Sequence, residues 1–405
     1  MLVSNGGRRS LTKSLLQLTK IQSRGGVARH HGDPFERHIM ASDYVIIGGG
    51  IVGLSTAWGL LKRGLRVTVL DGDDGSFRAS RGNFGLVWVQ SKGMKQPRYA
   101  QWSQTSAAAW ACFAEELSDA TGHDLGLEQN GGYDLHFSEE SLEATVSQYK
   151  ILKEKLGGDY PFEVLGHNSL RREEPAIGPT VVGAILHHQD GHANPLKLLR
   201  ALADDVRRLG GQVLTGKHVT HVDKPDLFRV FCADGTEVQA RKIVLSAGLG
   251  AMSLGPMLGF KAPIRPQRGQ VMITEKMPKL INRPSLIARQ TDDGGIQIGA
   301  TNEEVGLDNG VTQSGLSGLA AEAVAAFPAL AKAQLIRSWG ALRILSPDGL
   351  PIYQESTAMP GAYLVTCHSG ITLAAAHALF LPDWLEGAAA APNLEAFSED
   401  RFTLS

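Results

Sequence analysis

The chain has 405 residues, 43% of them hydrophobic and 20% charged, which suits two or three soluble domains with full cores. Lys and Arg number 40 against 41 Asp and Glu, so no global field favours nucleic acid or an anionic membrane. Cys112, Cys232 and Cys367 lie far apart, which argues against a disulfide framework, a zinc site or a dithiol redox pair, and for a reducing, cytosolic setting.

The first 40 residues are basic, with Arg8, Arg9, Lys13, Lys20, Arg24, Arg29 and Arg37 against Asp33 and Glu36. Transit peptides share this composition, whereas a secretory signal needs a longer apolar stretch than Leu15–Leu18, and Arg8-Arg9 lacks the apolar segment of a twin-arginine signal. We read residues 1–40 as a disordered basic extension, with the folded part opening at Met40. Tyr44 to Leu61 carries no charge, yet Gly48, Gly49, Gly50, Gly53 and Gly59 break it. It reads as a buried strand followed by a helix, so no transmembrane segment is expected.

Asp43-Tyr44-Val45-Ile46-Ile47 has the apolar, β-branched character of a central parallel strand. Gly48-Gly49-Gly50-Ile51-Val52-Gly53 satisfies GxGxxG, the pattern from Ile51 to Arg63 predicts a helix ended by Gly64, and Arg66–Leu70 predicts a second strand with Asp71 at its end. Each spacing has a physical reason: Gly48 allows the tight turn, Gly50 lets a pyrophosphate approach the backbone, and Gly53 lets helix and strand pack closely. The helix start offers amides to the phosphates, and Asp71 can accept from ribose hydroxyls. This order of elements predicts a dinucleotide site but does not separate FAD from NAD. A second nucleotide domain is not expected, because Gly248-Leu249-Gly250 has Ser253 in place of a third glycine and no following strand with a terminal acid.

Gly131–Phe137 and Gly295–Gly299 alternate like sheet strands. His187, His188, Asp190 and His192 are close in sequence but lack the i, i+4 spacing of helical ligands, and no metal is assigned to them.

Several segments, taken in order, resemble the FAD-dependent amine oxidoreductases of the D-amino-acid oxidase, glycine oxidase and sarcosine oxidase superfamily. They are Val45–Asp71, Ala79–Gly85, Gly191–Pro195, Val244–Gly248, Pro266–Gln270, Ile298–Thr301, Trp339–Arg343, Pro347–Ile352 and His368–Leu373. Asn83–Lys92 (NFGLVWVQSK) and Cys367–Leu373 (CHSGITL) look most like the β-subunits of D-hydroxyproline dehydrogenase and opine oxidase complexes. The resemblance implies an α/β fold: a doubly wound FAD-binding domain (41–92, 168–258 and 338–405) interleaved with a substrate domain (93–167 and 259–337) containing a large mixed β-sheet.

It also implies roles. FAD contacts are expected from Gly48, Gly50, Ile51, Val52, Gly53, Asp71, Ser80, Asn83, Phe84, Gly85, Val219, Ala247, Gly248, Gly340, Ser369, Gly370, Ile371 and Thr372. Ser369–Thr372 precede an apolar run, Leu373–Leu381, which predicts a helix halted by Pro382 whose positive end faces the reduced flavin. Arg343 resembles the arginine that grips a substrate carboxylate, and His368 stands where some relatives carry a second one. Ala341 occupies the position of the tethering cysteine of sarcosine oxidases, so FAD is expected to be noncovalent.

The implied activity is hydride transfer to flavin N5 from the carbon beside the nitrogen of a small amino acid, such as D-hydroxyproline, D-proline or an opine. The electrons would pass to partner subunits carrying further redox centres, which are also the route to any association with a membrane. Two alternatives stay open: a free-standing oxidase producing hydrogen peroxide, and an assembly subunit in which FAD is structural.

Overall fold

The computed structural model describes residues 41–72 and 78–402; the basic extension and its boundary at Met40 lie outside the described residues. Ser42–Ile47 is the middle of an eight-stranded sheet. Along the main path the order is Ile352–Glu355, Ala362–Thr366, Glu237–Leu245, Ser42–Ile47, Val67–Asp71 and Gln212–Thr215. All neighbours from Ala362–Thr366 to Gln212–Thr215 are parallel, and Ile352–Glu355 closes one edge antiparallel. Glu237–Leu245 bends between two partners. Its first half pairs antiparallel with Phe228–Cys232, and its second half runs parallel to Ser42–Ile47.

Alternation along the first strand gives the sheet's two faces different cover. Tyr44 and Ile46 pack with the helices Ile51–Leu61, Pro97–Thr121, Pro195–Arg208 and Ala374–Leu379. Val45 and Ile47 pack instead against the hairpin strands Val219–Asp223 and Phe228–Cys232 and the helical turns at 251–258. The long helices therefore lie on one face, and a β-hairpin takes the place of helices on the other.

A second, antiparallel sheet of four strands has the order Ala288–Gln290, Gly295–Gly299, Arg265–Lys276, Leu335–Leu345. A three-stranded antiparallel sheet, Gly132–His136, Gly183–His187 and Glu163–Gly166, is separate from it, with one isolated parallel bridge from Tyr133 to Ser285, just ahead of Ala288–Gln290. One apolar cluster, including Tyr133, Leu186, Met272 and Ile298, lies against both sheets.

Pairing and packing move two segments across the expected domain boundaries. Gly183–His187 falls in the stretch expected for the FAD domain, but both its neighbours, Gly132–His136 and Glu163–Gly166, fall in the stretch expected for the substrate domain. Pro97–Thr121 falls in the stretch assigned to the substrate domain, but it buries Tyr99, Trp102, Trp110, Phe113 and Leu117 in the helical core over the central sheet. The helical period puts that aromatic stripe on one face, and the apolar area it buries decides the side on which the helix packs.

The apolar run after Thr372 also differs from expectation. It forms a short helix, Ala374–Leu379, breaks at Phe380, and restarts as Leu381–Leu385 with Pro382 in the first turn. Proline lacks an N–H, so it is accommodated where a helix begins and does not end this one.

The helix Pro97–Thr121 holds this region in place. Trp110 Nε1 donates to the carbonyls of Ile371 and Thr372, each at 3.1 Å, and Ser106 Oγ donates to Thr372 O at 2.6 Å. Trp110 is fully buried. Trp110→Phe keeps an aromatic ring but leaves these carbonyls short of a donor. It should cost about 1–3 kcal/mol, read as a lower urea midpoint with an unchanged denaturant slope.

Candidate cofactor and substrate site

A cavity of about 1090 Å³ runs past the carboxyl ends of the parallel strands, where Gly48, Asp71, Thr215, Ser246 and Thr366 line it. Open α/β sheets place their ligands at this edge, and the volume is at the upper end of ligand pockets.

The three motif glycines do different work at one end. Gly48 has φ +113°, and a Cβ there would lie 2.7 Å from the carbonyl carbon of Ser246. A Cβ on Gly53 would collide with the carbonyl oxygen of Gly48, so that glycine keeps helix and strand together. Gly50 faces the cavity, and its amide has no hydrogen-bond partner among the described residues. The helix that follows has no acidic residue in its first turn, and among the described residues only Ser80 Oγ reaches its start, accepting from Ile51 N at 3.0 Å. Asp71 Oδ2 accepts from Gly49 N at 2.6 Å, and Arg78 stands 3.9 Å from Asp71 Oδ1. Unneutralised amides at a helix start beside a carboxylate fit a pyrophosphate followed by a ribose.

Ile51, Val52, Ser80, Asn83, Phe84, Val219, Ala247 and Gly248 also line the cavity, as do Ser369, Gly370, Ile371 and Thr372. Gly53, Gly85 and Gly340 do not. Gly85 has φ +93° and turns the loop, with Asn83 Oδ1 accepting from its amide at 2.7 Å. Gly340 packs its strand against the backbone of Asn309 and Gly310. Buried Arg289 donates to Phe84 O and, at 2.6 Å, to Gln297 Oε1, tying this loop to the second sheet.

At the far end the amides of Gly370, Ile371 and Thr372 have no partner among the described residues. Tyr99 OH donates to Ser369 Oγ at 2.8 Å and holds the turn. The helix beyond is too short to supply much macrodipole, so any attraction for an anion at this end comes from the amides themselves.

Arg343 lies on the edge strand Leu335–Leu345 and lines the same end. Its Nη1 donates to Thr301 O at 2.7 Å, with longer contacts to Gln267 Oε1 and Arg268 O. Nε and Nη2 have no partner, and no carboxylate pairs with it, among the described residues. Burial pulls its pKa below the ordinary arginine value, and no neighbouring anion offsets that effect. His368 sits beside it. Its side chain opens to the cavity; loss of bulk solvent, then Arg343 and then Lys92 lower its pKa, so the imidazole is neutral at physiological pH and does not replace a second cationic anchor.

Lys92 is the residue the sequence reading left out. Its Nζ donates to Thr372 Oγ1 at 2.9 Å and lies 5.9 Å from the centre of the Tyr99 ring. Burial pulls its pKa down to about 7, while Asp190 and Cys367 act in the opposite direction. The available signal was a single cation closing the uncharged run Asn83–Ser91.

The histidine cluster disperses. Asp190 is buried, accepting from Val89 N at 2.5 Å and Gln90 Nε2 at 3.0 Å, whereas His188 is exposed and pairs with Glu163 at 2.8 Å. His192 instead faces Arg289. Among the described residues no three His, Cys, Asp or Glu side chains converge as metal ligands, and no helix is long and apolar enough to cross a membrane.

Comparison with known proteins agrees with this geometry. An opine oxidase subunit of Rhizobium meliloti is 41% identical over 362 residues, covering 89% of this chain and 97% of that protein. Hydrogen cyanide synthase subunit HcnC of Pseudomonas aeruginosa is 30% identical, covering 80% of this chain and 87% of that protein. The crystal structure of glycine oxidase from Geobacillus kaustophilus superposes with a TM-score of 0.82 at 24% identity, covering 88% of this chain and 98% of that one. The DAO family model, FAD dependent oxidoreductase, matches residues 43–384, and with a nucleotide end and a cationic end in one cavity the chain belongs to that family of FAD-dependent amine and amino-acid oxidoreductases.

Proposed function

We propose that the chain oxidises the carbon–nitrogen bond of a small amino acid, of the opine, D-proline or D-hydroxyproline kind, as the flavin subunit of a dehydrogenase complex. The observation that carries this reading is Arg343, a half-buried guanidinium on the cavity wall with no carboxylate partner among the described residues. A cation partly removed from solvent and held by backbone and amide oxygens is stabilised by an anionic ligand, and a carboxylate matches its open fork.

Bound FAD supplies a hydride acceptor at N5. The chain's residues do the rest. The amide of Gly50 and the start of the helix Ile51–Leu61 hold the pyrophosphate, and Asp71 holds the ribose. The amides of Gly370, Ile371 and Thr372 would hold the oxygen-bearing edge of the ring, and Arg343 would fix the substrate carboxylate. Neutral His368 contributes a hydrogen bond and no charge. The role within a complex is supported by the relatives at 41% and 30% identity, both named as subunits. The three cysteines are all unpaired and too few for an iron–sulfur cluster, so further redox centres belong to partner chains. We place the complex in the cytoplasm, attached to any membrane through those partners.

The discriminating experiment is anaerobic addition of opines, D-proline, cis-4-hydroxy-D-proline, sarcosine and glycine to the yellow protein. Bleaching of the flavin band by one of them is the expected outcome, and bleaching by none would leave FAD as a structural group. Arg343→Ala should retain FAD and lose about 2–5 kcal/mol of transition-state binding in kcat/KM; wild-type efficiency would remove the carboxylate role.

The flavin should leave the protein on acid precipitation, because alanine occupies position 341 on the cavity wall; a yellow pellet over a colourless supernatant would contradict this. Turnover should be slower with oxygen than with an artificial electron acceptor. Fast peroxide production by the isolated chain would favour the free-standing oxidase, the reading to which the glycine oxidase likeness points.

A further inference from the structure

We propose that Lys92 Nζ takes the proton from the substrate's ammonium nitrogen before the carbon–nitrogen bond is oxidised. The inference rests on the amino-acid reading above and names the group that the reading still requires. An amino acid enters with its nitrogen protonated, and an ammonium has no lone pair with which to form a double bond to carbon. One proton therefore has to leave for a base in the cavity.

Few groups are placed to receive it. Asp71 belongs to the nucleotide end, and His368, held neutral between Arg343 and Lys92, is too weak a base to keep a proton. Lys92 lines the cavity, and its amine meets Thr372 Oγ1 at 2.9 Å, on the turn whose amides face the flavin position. It forms no ion pair among the described residues. Asp190, the nearest carboxylate acting on it, is already engaged by Val89 N and Gln90 Nε2.

The groups facing Lys92 from the neighbouring elements are Asp190 before the strand Gly191–His192, Tyr99 on the helix Pro97–Thr121, and Cys367 and His368 after the strand Ala362–Thr366. Burial pushes the Cys367 thiol up to about 12, so it stays neutral and does not compete for the role. Burial also brings the lysine down to about 7, so a large share is the free amine at neutral pH.

The step balances. The lysine lone pair takes the proton, leaving a neutral substrate amine and a Lys92 ammonium. The carbon then gives up its hydrogen with the bonding pair to FAD, and the nitrogen lone pair becomes the second bond to carbon. Thr372 Oγ1 and the Tyr99 ring face hold the new ammonium, and Asp190, whose own pKa burial raises to about 7, adds its charge where it is ionised, until the ammonium releases its proton to solvent.

The test uses the FAD-loaded protein and whichever amino acid bleaches it. In anaerobic rapid mixing, the wild-type reduction rate should rise with pH to a plateau with a midpoint near 7. Lys92→Met and Lys92→Arg should both retain FAD, fall by about 10²–10⁴-fold at neutral pH, and rise instead through the substrate's own ammonium pKa. The arginine variant separates the roles, since a fixed positive charge would be rescued by Arg and a proton acceptor would not. Acetic anhydride labelling of Lys92 across pH, read by peptide mass spectrometry, gives a midpoint without turnover; it should lie near 7, well below the ordinary lysine value of about 10. A wild-type rate in Lys92→Arg, an unchanged midpoint in Lys92→Met, or an ordinary labelling midpoint would overturn the proposal. If no amino acid bleaches the wild type, the amino-acid reading fails, and the labelling midpoint still decides whether Lys92 is a base at neutral pH.

Discussion

The end of the cavity lined by Ser369–Thr372 is organised around Thr372. Its hydroxyl oxygen accepts from Trp88 N at 3.1 Å and Lys92 Nζ at 2.9 Å, and its proton is directed to Leu86 O at 3.3 Å. Its carbonyl accepts from Ser106 and Trp110 on the long helix. One buried residue thus fixes the relative positions of the loop after Gly85, the helix Pro97–Thr121 and the turn that presents three open amides. Such bonds contribute about 1 kcal/mol each, but in a dry setting leaving any of them unmade costs more. The geometry of the site follows from that asymmetry.

The same region concentrates positive charge. Arg343 and Lys92 approach His368 from different elements, one from the edge strand of the second sheet and one from the loop beside the long helix. Neither has a carboxylate within ion-pair distance among the described residues. Structural ion pairs elsewhere are close and mostly near the surface, as with Arg66 and Asp43 at 3.0 Å. The contrast separates a structural cation from one kept available for ligands.

Legibility in the sequence tracked how local the physics was. The first strand, the glycine turn, the helix and Asp71 could be read directly, because turn sterics and helix-start amides are set within a few residues. Arg343 needed the family resemblance, since nothing near Trp339–Leu342 announces a carboxylate site. Lys92 left only a faint signal, a single cation closing the uncharged run Asn83–Ser91. Its lowered pKa comes from burial, with Asp190 and Cys367 acting against it, and the folded chain alone brings these groups and the Thr372 hydroxyl around it. Gly183–His187 and Pro97–Thr121 show a related limit: the first is buried along its whole length and the second is apolar on one face, and neither pattern names the layer that covers it. Pro382 misled because a proline that starts one helix resembles, in sequence, a proline that stops another.

The open amides at Gly50 and at Gly370–Thr372, together with Arg343 and Lys92, carry a consequence for the protein's life in the cell. They are polar groups that the folded chain leaves for bound anions to satisfy, so the native state is completed by its ligand. Binding to the folded form alone adds stability that grows as RT ln(1 + [L]/Kd). Flavin supply then sets more than the fraction of active molecules. Chains made when the cofactor is scarce spend more time partly unfolded and fall to proteolysis, so the steady-state abundance of this protein follows the flavin status of its host.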